Sequence, residues 1–218
     1  DKNLEKVDEI SSRGFNPLFH DENFILTELH DRIRLKKVAE EVSKVFFYGA
    51  SCSSEERCAV LVEAFSNFFT NADVHIGHDL LAAVYATTPN EPGLVGILGT
   101  GSNACFYDGK SIHRDRPSLG FVLGDEGSGA YFGKQLLRKY LYCQMPERLA
   151  QDLTEAYELT KDRILENVYM KSSPNVYLAS FARFLSDHRE EDFVRNLIFE
   201  GLSSFVEMHL CIYSDYKN

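Results

Sequence analysis

The sequence predicts an α/β protein whose second half is rich in helices, and three observations support this prediction. Short apolar runs that suit buried strands alternate with helical segments between residues 45 and 86. A glycine-rich turn and a hairpin signal follow between residues 94 and 113. From residue 126 onward the chain reads as almost entirely helical. Because strands alternate with helices in the first part, we expect a largely parallel sheet layer there.

The first part contains two predicted strands, each followed by a helix. A charged helical stretch over residues 28–42 precedes an apolar strand over residues 45–49. Ser53 and Glu56 have the spacing of a capping box in front of the next helix. The second strand, residues 74–77, leads to Asp79 and to a helix of small residues over 80–86. The buried face of the helix between the strands is predicted from Cys58, Leu61, Val62, Phe65, Phe68 and Phe69.

Residues 87–93 are the best linker candidate, because they combine two prolines, a glycine and polar side chains. We therefore divide the chain into an N-terminal domain, residues 1–91, and a C-terminal domain, residues 92–218. A strand over residues 94–98 opens the second domain. Asp108 and Gly109 then predict a β-hairpin with a type I′ turn, flanked by strands 104–107 and 110–113.

Composition narrows the function. The 218 residues carry a net charge of −10 without a run of Lys and Arg, which argues against a nucleic-acid partner. No apolar stretch is long enough to span a membrane and no signal peptide is visible, so we expect a cytoplasmic protein without membrane association. Phosphate ligands stay compatible with an acidic chain, since backbone N–H groups can bind them.

The five cysteines are scattered and form no CxxC pair, which argues against a zinc ribbon, a redox motif or a dense disulfide scaffold. We expect Cys58, Cys105 and Cys211 to be buried thiols, because each lies among apolar neighbours. No metal-ligating cluster is predicted from the protein side chains.

The most informative segment is the turn after the strand 94–98, with the sequence Gly99, Thr100, Gly101, Ser102 and Asn103. Glycine lets the backbone approach a bulky anion, and consecutive N–H groups can then point at phosphate oxygens. The dinucleotide-binding fingerprint is excluded, since it needs a helix immediately afterwards and a hairpin follows here. Two readings stay open from the residues alone: a phosphate-binding turn or an ordinary glycine-rich turn.

A second glycine-rich turn covers residues 119–129, where four glycines and two adjacent acids precede a helix over 130–141. Asp125 or Glu126 could cap that helix, since acids favour helix N-termini. Capping explains one acid but not the four glycines. The apparent Walker A run over residues 127–134 has the wrong spacing and lacks the required Ser or Thr.

The two turns in this order resemble the N-acetylglucosamine kinase family. The matching residues are 99–103 and, about two dozen positions later, 123–129. Residues 14–17, 48–52 and 78–83 extend the likeness, so that it covers most of the chain from about residue 13 to residue 145. The family shares a superfamily with actin, Hsp70 and hexokinase. It is grouped with the ATPases that activate benzoyl- and hydroxyacyl-CoA-reducing enzymes.

The resemblance implies two ribonuclease-H-like (actin-like ATPase) domains with a cleft between them. It implies ATP-dependent phosphorylation of a sugar hydroxyl, with N-acetylglucosamine or a related amino sugar as acceptor and Mg²⁺ as the metal. The partner is then a small-molecule sugar, and a homodimer is a further expectation. Asp79 matches the general base. The second phosphate-binding loop, for ATP, corresponds to Gly99, Thr100, Gly101 and Ser102. The implied substrate-binding positions are Asn16, Asn103, Leu119, Gly120 and Asp125.

Asp79 and Asn16 also have simpler interpretations. Asp79 follows a short strand, where open α/β sheets bind ligands, but it could equally be the N-cap of the helix that begins at Leu80. Asn16 precedes Pro17, and Asn-Pro is a common turn in its own right.

Three departures from the family pattern limit the inference. The family's first phosphate loop, Asp-x-Gly-x-Thr, does not occur in these 218 residues. Its adenosine motif is not found after Phe205, so we expect segments to be missing at both ends and this polypeptide alone to be inactive. Leu119 stands where the family carries tryptophan, which weakens the assignment of an acylamino sugar.

Two alternatives share the same fold. One is an ATPase that activates a radical dehydratase or reductase and binds an iron–sulfur cluster through cysteines. The other is a sugar sensor without catalysis.

Overall fold

The chain divides into two units in the computed structural model, which describes residues 6–52, 54–88 and 91–213. The first unit ends at Ala86 and the second begins at Thr87. This division lies five residues before the domain boundary expected between residues 91 and 92. The mixed α/β class agrees with the prediction, and each unit is described separately below.

The first unit places two parallel strands between helices. Strands β1 (Lys44–Gly49) and β2 (Asp73–His78) pair in parallel over their whole length, with Gly49 opposite His78. The predicted strand–helix–strand–helix order is therefore confirmed. The elements of this unit are α1 (Glu22–His30), α2 (Ile33–Val38), a 3₁₀ turn (Ala39–Glu41), β1 (Lys44–Gly49), α3 (Glu55–Phe68), β2 (Asp73–His78) and α4 (Asp79–Thr87).

Helix α3 contributes more buried residues to the core of the first unit than any other element described there. Phe65 packs edge-on against Phe15, with ring centroids 6.0 Å apart, and also contacts the ring of Phe47 on β1. Such aromatic contacts add to the free energy gained by burying the rings. Val62 belongs to the predicted buried face but is 39% exposed, so the buried face of α3 is narrower than predicted. The fully or almost fully buried residues of α3 are Leu61, Ala64, Phe65 and Phe68.

Two local predictions in this unit are wrong. The continuous helix over residues 28–42 is interrupted, because α1 ends at His30 and Arg32 adopts a non-helical backbone before α2. The N-cap of α3 is Ser54, whose Oγ accepts a hydrogen bond from the backbone N–H of Arg57 at 3.4 Å. Ser53, the residue that the sequence predicted as the N-cap, lies outside the described residues.

The second unit begins with an antiparallel sheet in the order β3-β4-β5, formed by Gly93–Leu98, Ser102–Tyr107 and Ile112–His113. The predicted hairpin is present, but its type I′ turn is wrong. That turn needs positive φ at both central residues, and of Asp108 and Gly109 only the glycine has it, at 93°. The Asp108 carboxylate instead closes the connection by accepting hydrogen bonds from the N–H groups of Lys110 and Ser111, at 2.8 and 2.7 Å.

Helices make up the rest of the second unit, as predicted. A short helix over Gly120–Leu123 was not expected, because the sequence there reads as a glycine-rich turn. Leu136, Leu149, Leu153 and Phe181 lie in the helical core. The elements are α5 (Gly120–Leu123), α6 (Gly129–Leu141), α7 (Glu147–Tyr157), α8 (Lys161–Tyr169), α9 (Pro174–Ser180), α10 (Ala182–Asp187), α11 (Asp192–Phe205) and a π-helical turn (Val206–Leu210).

The cysteines follow the burial prediction only in part. Cys105 is buried in β4 and Cys58 is half-buried, but Cys211 is exposed, since it follows the π-helical turn at the surface. Within the described ranges, no helix is long and apolar enough to cross a membrane. The same ranges contain no group of three or more His, Cys, Asp or Glu side chains that could hold a metal ion.

Candidate functional site

The first glycine turn is a tight three-residue connection. Strands β3 and β4 pair as far as Leu98 opposite Ser102, which leaves only Gly99, Thr100 and Gly101 between them. The N–H of Gly99 donates to the carbonyl oxygen of Gly101 at 2.9 Å. A strand, β4, follows this turn, whereas a dinucleotide-binding turn is followed by a helix. The exclusion of a dinucleotide-binding fingerprint is therefore confirmed.

The two glycine turns are joined by backbone hydrogen bonds. At the start of α6, the N–H of Gly129 donates to the carbonyl oxygen of Gly99 at 2.8 Å, and that of Ala130 donates to Thr100 at 3.0 Å. The N-cap of α6 is Ser128, whose Oγ accepts from the N–H of Tyr131 at 3.1 Å. The alternative role of Asp125 or Glu126 as the cap of this helix is therefore wrong.

Asp125 lies directly against the first turn. A β-carbon added at Gly101 would stand 2.8 Å from Oδ2 of Asp125, closer than real β-carbons approach other atoms. Asp125 is only 8% exposed, and its carboxylate accepts a hydrogen bond from the backbone N–H of Ser102. Its φ of 60° is unusual for a residue other than glycine, although aspartate tolerates this region better than most. Residues of this kind cluster at functional sites.

The pKa of the Asp125 carboxyl is raised above its ordinary value, because burial disfavours the charged form and the neighbouring Glu126 adds like charge. The N–H of Ser102 and the positive charges of Lys134 and His209 act in the opposite direction. A buried carboxyl surrounded by several charged groups is a candidate for a functional role.

Ser102 and Asn103 occupy successive positions at the start of β4. The hydroxyl of Ser102 is buried and has no hydrogen-bond partner among the described residues. Orphaned buried hydroxyls are uncommon, and a ligand is one of the partners that can satisfy them. The Oδ1 of Asn103 accepts from the N–H of Ala104 at 3.0 Å, so this predicted substrate-binding side chain has a local partner.

Leu119 and Gly120 begin the short helix α5. Leu119 is 56% exposed, and its β-carbon lies 3.1 Å from where a β-carbon at Gly124 would stand. Gly120 has a φ of 72°, which explains the glycine at this position. Lys134 of α6 ties α5 in place by donating to the carbonyl oxygen of Phe121 at 2.7 Å. The structure thus places both predicted residues beside the segment that carries Asp125.

Asp79 is the first residue of α4 and follows β2 directly. Its Oδ1 lies 2.6 Å from Nδ1 of His78 and accepts from the N–H of Leu80 at 2.8 Å. The side chain is 28% exposed. The hydrogen bond to Leu80 joins adjacent residues, whereas an N-cap accepts from an N–H two or three positions ahead, and Asp79 itself lies inside the helix. This contact therefore does not support the N-cap interpretation, and the general-base role stays a prediction. Sequence reasoning missed the partnership with His78, for which the only signal is that the residues are adjacent.

Asn16 closes a local turn in the first unit. Its Oδ1 accepts from the N–H of Leu18 at 2.9 Å, and its carbonyl oxygen accepts from the N–H groups of Phe19 and His20, both at 3.0 Å. This is the Asn-Pro turn that the sequence offers as the simpler interpretation. The substrate-binding role of Asn16 stays a prediction.

A contact between Glu126 and His209 was also missed by sequence reasoning. The Nε2 atom of His209 lies 3.1 Å from Oε2 of Glu126, although the residues are 83 positions apart. No spacing or motif in the sequence predicts a contact over this distance.

Solved structures resemble this chain, and two of them are described here. A protein from Porphyromonas gingivalis, described as a candidate N-acetylglucosamine kinase, is 35% identical with a TM-score of 0.86, over 92% of this chain and 72% of that one. A candidate N-acetylglucosamine kinase from Chromobacterium violaceum is 18% identical with a TM-score of 0.56, over 85% and 68% of the two chains, and this likeness shows the fold alone. No family model and no curated protein matches the sequence. Because the first relative shares more than a third of its residues over most of both chains, this chain belongs to the N-acetylglucosamine kinase-like family, whose members are kinase-type enzymes.

Proposed function

We propose that the protein transfers a phosphoryl group from ATP to a sugar hydroxyl, with N-acetylglucosamine or a related amino sugar as acceptor. The observation that carries this proposal is that backbone hydrogen bonds join the two glycine turns and place the carboxylate of Asp125 against Gly101. The name of the Porphyromonas gingivalis relative supports the same reaction class.

The first glycine turn is proposed to bind phosphate. The N–H groups of Thr100 and Gly101 make no hydrogen bond to any residue in the described part of the chain, and Thr100 is exposed. These two donors and the buried hydroxyl of Ser102 suit phosphate oxygens. The first N–H groups of α6 are already used by Gly99 and Thr100, so we do not assign them to the ligand.

Mg²⁺ with ATP would neutralise charge that develops on the transferred phosphoryl group. This ion usually keeps several waters and binds one or two carboxylates together with substrate phosphates, so a dedicated cage of protein ligands is not required. An ionised Asp125 repels phosphate, and we therefore assign it to the sugar hydroxyls, to which a carboxylate is a strong acceptor. Leu119, at the edge of α5, would offer the sugar an apolar contact without ring stacking.

Asp79 is proposed as the general base that accepts the proton of the attacking hydroxyl. Its contacts with His78 and with the N–H of Leu80 fix the orientation of the carboxylate. A base positioned in this way contributes roughly 10²–10⁴-fold to the rate. The family resemblance adds the proposal that each unit is a ribonuclease-H-like domain and that substrates bind in a cleft between them.

The test is sugar-dependent release of ADP from Mg·ATP by protein made from the complete reading frame. The acceptors are N-acetylglucosamine, glucosamine, glucose and N-acetylmannosamine, each with the wild type and the Asp79→Ala variant. Asp73→Ala is the matched control, because Asp73 also pairs with a histidine of β2, His75, at 2.9 Å. We expect turnover on one amino sugar, a loss of at least about 10²-fold in Asp79→Ala, and little change in Asp73→Ala.

Other outcomes separate the alternatives. ATP hydrolysis that is indifferent to every sugar, together with an iron–sulfur absorption band, would favour an activator of a radical enzyme. Sugar binding without ADP release would favour a sensor. Equal losses in Asp79→Ala and Asp73→Ala would remove the base assignment while leaving the kinase intact.

A further inference from the structure

We propose that His209 is a positioning residue that holds the Asp125 carboxylate in place through Glu126. The inference rests on the proposed function, because it assigns Asp125 to the sugar. It concerns a residue at the far end of the second unit, on the π-helical turn that follows α11. Short π-helical segments are rare and occur frequently at functional sites.

The contact between His209 and Glu126 is partly shielded from water. The two side chains are 13% and 24% exposed, and Nε2 of His209 lies 3.1 Å from Oε2 of Glu126. The imidazole also packs against the ring of Phe205, with centroids 5.3 Å apart. Because the imidazole of His209 is already packed, its contact with Glu126 costs less side-chain entropy than a contact made by a flexible surface Lys or Arg.

Gly127, the residue after Glu126, packs closely against the end of α11. A β-carbon at Gly127 would lie 3.0 Å from Cβ of Phe205 and 3.3 Å from the carbonyl oxygen of Gly201, and the φ of Gly127 is 71°. The ring of Phe205 continues to β3, where it would come within 3.0 Å of a β-carbon at Gly96. Glu126 is therefore anchored to the π-helical turn by one polar contact, and Gly127 to the end of α11 by one close packing contact.

Asp125 immediately precedes this anchored pair and faces the other glycine turn. Its left-handed backbone is unfavourable for a non-glycine residue and persists only where the surroundings determine it strongly. The surroundings that fix it are the N–H of Ser102 on one side and the Glu126–His209 contact on the other. Loss of either contact should release the carboxylate from its position against Gly101.

The charges around Asp125 give a measurable consequence. The titratable groups that act on its carboxyl are Glu126, Lys134 and His209, and the N–H of Ser102 donates to it. His209 lowers the pKa of Asp125, whereas Glu126 raises it. A variant without the imidazole leaves Glu126 half-buried beside Asp125, so the pKa of Asp125 should rise further.

The experiment compares His209→Leu with His209→Gln, in protein from the complete reading frame. Gln can place a donor N–H near the position of Nε2, whereas Leu fills the space without a donor. We expect kcat/KM for the sugar to fall roughly ten- to hundredfold in the His209→Leu variant, mainly through a higher KM. In His209→Gln it should stay within about threefold of the wild-type value. KM for ATP should change little in either. Glu207→Gln, exposed on the same π-helical turn, is the control and should match the wild type.

A double-variant cycle tests whether His209 acts through Glu126. If it does, Glu126→Gln combined with His209→Leu should be no worse than the more damaging single variant. Fully additive losses, or equal losses in His209→Leu and His209→Gln, would overturn the proposal. Where His209→Leu does not fold, His209→Asn replaces it, since its shorter side chain retains polarity but does not reach Glu126.

A second readout does not depend on catalysis. The pKa of the Asp125 carboxyl is followed by ¹³C NMR, assigned with Asp125→Asn, in the wild type, His209→Leu and Glu207→Gln. A higher pKa in His209→Leu alone supports the coupling even where no sugar is turned over, and in that case only the proposed function fails. If the pKa of Asp125 is unchanged in His209→Leu and the protein phosphorylates sugar, the role of His209 is contradicted and the kinase function is not.

Discussion

Gly101 and the carboxylate of Asp125 lie in direct contact, so that a β-carbon at residue 101 would stand 2.8 Å from Oδ2. This contact explains why both glycine-rich motifs occur in one chain: the first turn must lack a side chain where the acid of the second turn reaches it. The absence of a β-carbon at Gly101 is therefore a steric requirement of this site, separate from any need for a flexible backbone.

The first prediction is that Gly101→Ala displaces Asp125 and damages both stability and catalysis. We expect the free energy of unfolding to fall by about 1–3 kcal/mol, as for other overpacked sites, and sugar kinase activity to fall at least tenfold. Urea denaturation and ADP release measure the two effects. Gly99→Ala is the matched control for stability, because its β-carbon would approach nothing closer than the carbonyl oxygen of Gly101 at 3.9 Å. It is not a control for activity, since Gly99 belongs to the proposed phosphate-binding turn. Equal losses of unfolding free energy in the two variants would contradict the steric argument.

The second prediction concerns the pH dependence of stability at Asp125. Burial raises the pKa of this carboxyl, so the folded protein binds the proton more tightly than the unfolded chain does. The contribution of Asp125 to stability is therefore most favourable at low pH and declines as pH rises through its folded pKa. Asp125→Asn should be more stable than the wild type at pH 7, and the difference should disappear below about pH 4.

The same substitution should lower activity. We expect kcat/KM for the sugar to fall roughly ten- to hundredfold, because a hydrogen bond to a charged group contributes about 1.5–3 kcal/mol. Thermal denaturation between pH 4 and pH 8, together with the kinetics, checks both parts. A variant that is less stable than the wild type at pH 7 would show that the hydrogen bond from Ser102 outweighs the cost of burial.

The third prediction concerns the close approach of α6 and α9. A β-carbon at Gly133 would lie only 1.8 Å from the carbonyl oxygen of Leu178, and this backbone cannot move aside cheaply. Alanine favours a helix over glycine by about 1 kcal/mol, but the clash should dominate. Gly133→Ala is expected to cost about 3 kcal/mol of unfolding free energy, measured in urea. Gly14→Ala, where nothing lies within 4 Å, should change stability by less than about 0.5 kcal/mol.

The fourth prediction concerns thiol reactivity. Cys143 and Cys211 are exposed and should react with DTNB rapidly at pH 8. Burial raises the pKa of both Cys52 and Cys105 to about 11, so only about 0.1% of each is thiolate at that pH. Cys143→Ser should remove one rapid equivalent, whereas Cys105→Ala should remove none. Rapid labelling of Cys105 would indicate that the sheet of the second unit opens readily.

Much of the fold could be predicted because its signals are local. The apolar runs of β1, β2 and β3 end at glycines or polar residues within a few positions, and the glycine spacing of both turns is visible in the sequence. The interruption between α1 and α2 was missed, since residues 28–42 contain no glycine or proline and Arg32 carries no mark of its backbone conformation. The turn at Asp108 was assigned the wrong type because its side chain, not its own φ, closes the loop.

The candidate site was predictable in its motifs but not in its contacts. Residues 99–102 and Asp125 could be grouped by resemblance, and the structure places Asp125 against Gly101. The pairing of Glu126 with His209 could not be predicted, because it depends on where the chain returns in space. The cap at Ser128 is a local contact, but the nearby acids Asp125 and Glu126 suit the same role by residue type. Burial of the Ser102 hydroxyl likewise follows from packing and has no signature in the sequence.

The hydrogen bonds from Gly129 and Ala130 to Gly99 and Thr100 have an evolutionary consequence. The two motifs are separated in the sequence but depend on each other in the fold. An insertion or deletion within either turn would misalign these hydrogen bonds between them. The exposed stretch over residues 113–118 lies between them and is not bound by that alignment. Sequence drift and insertions among homologues should therefore concentrate in this stretch, while the two turns around it change together or not at all.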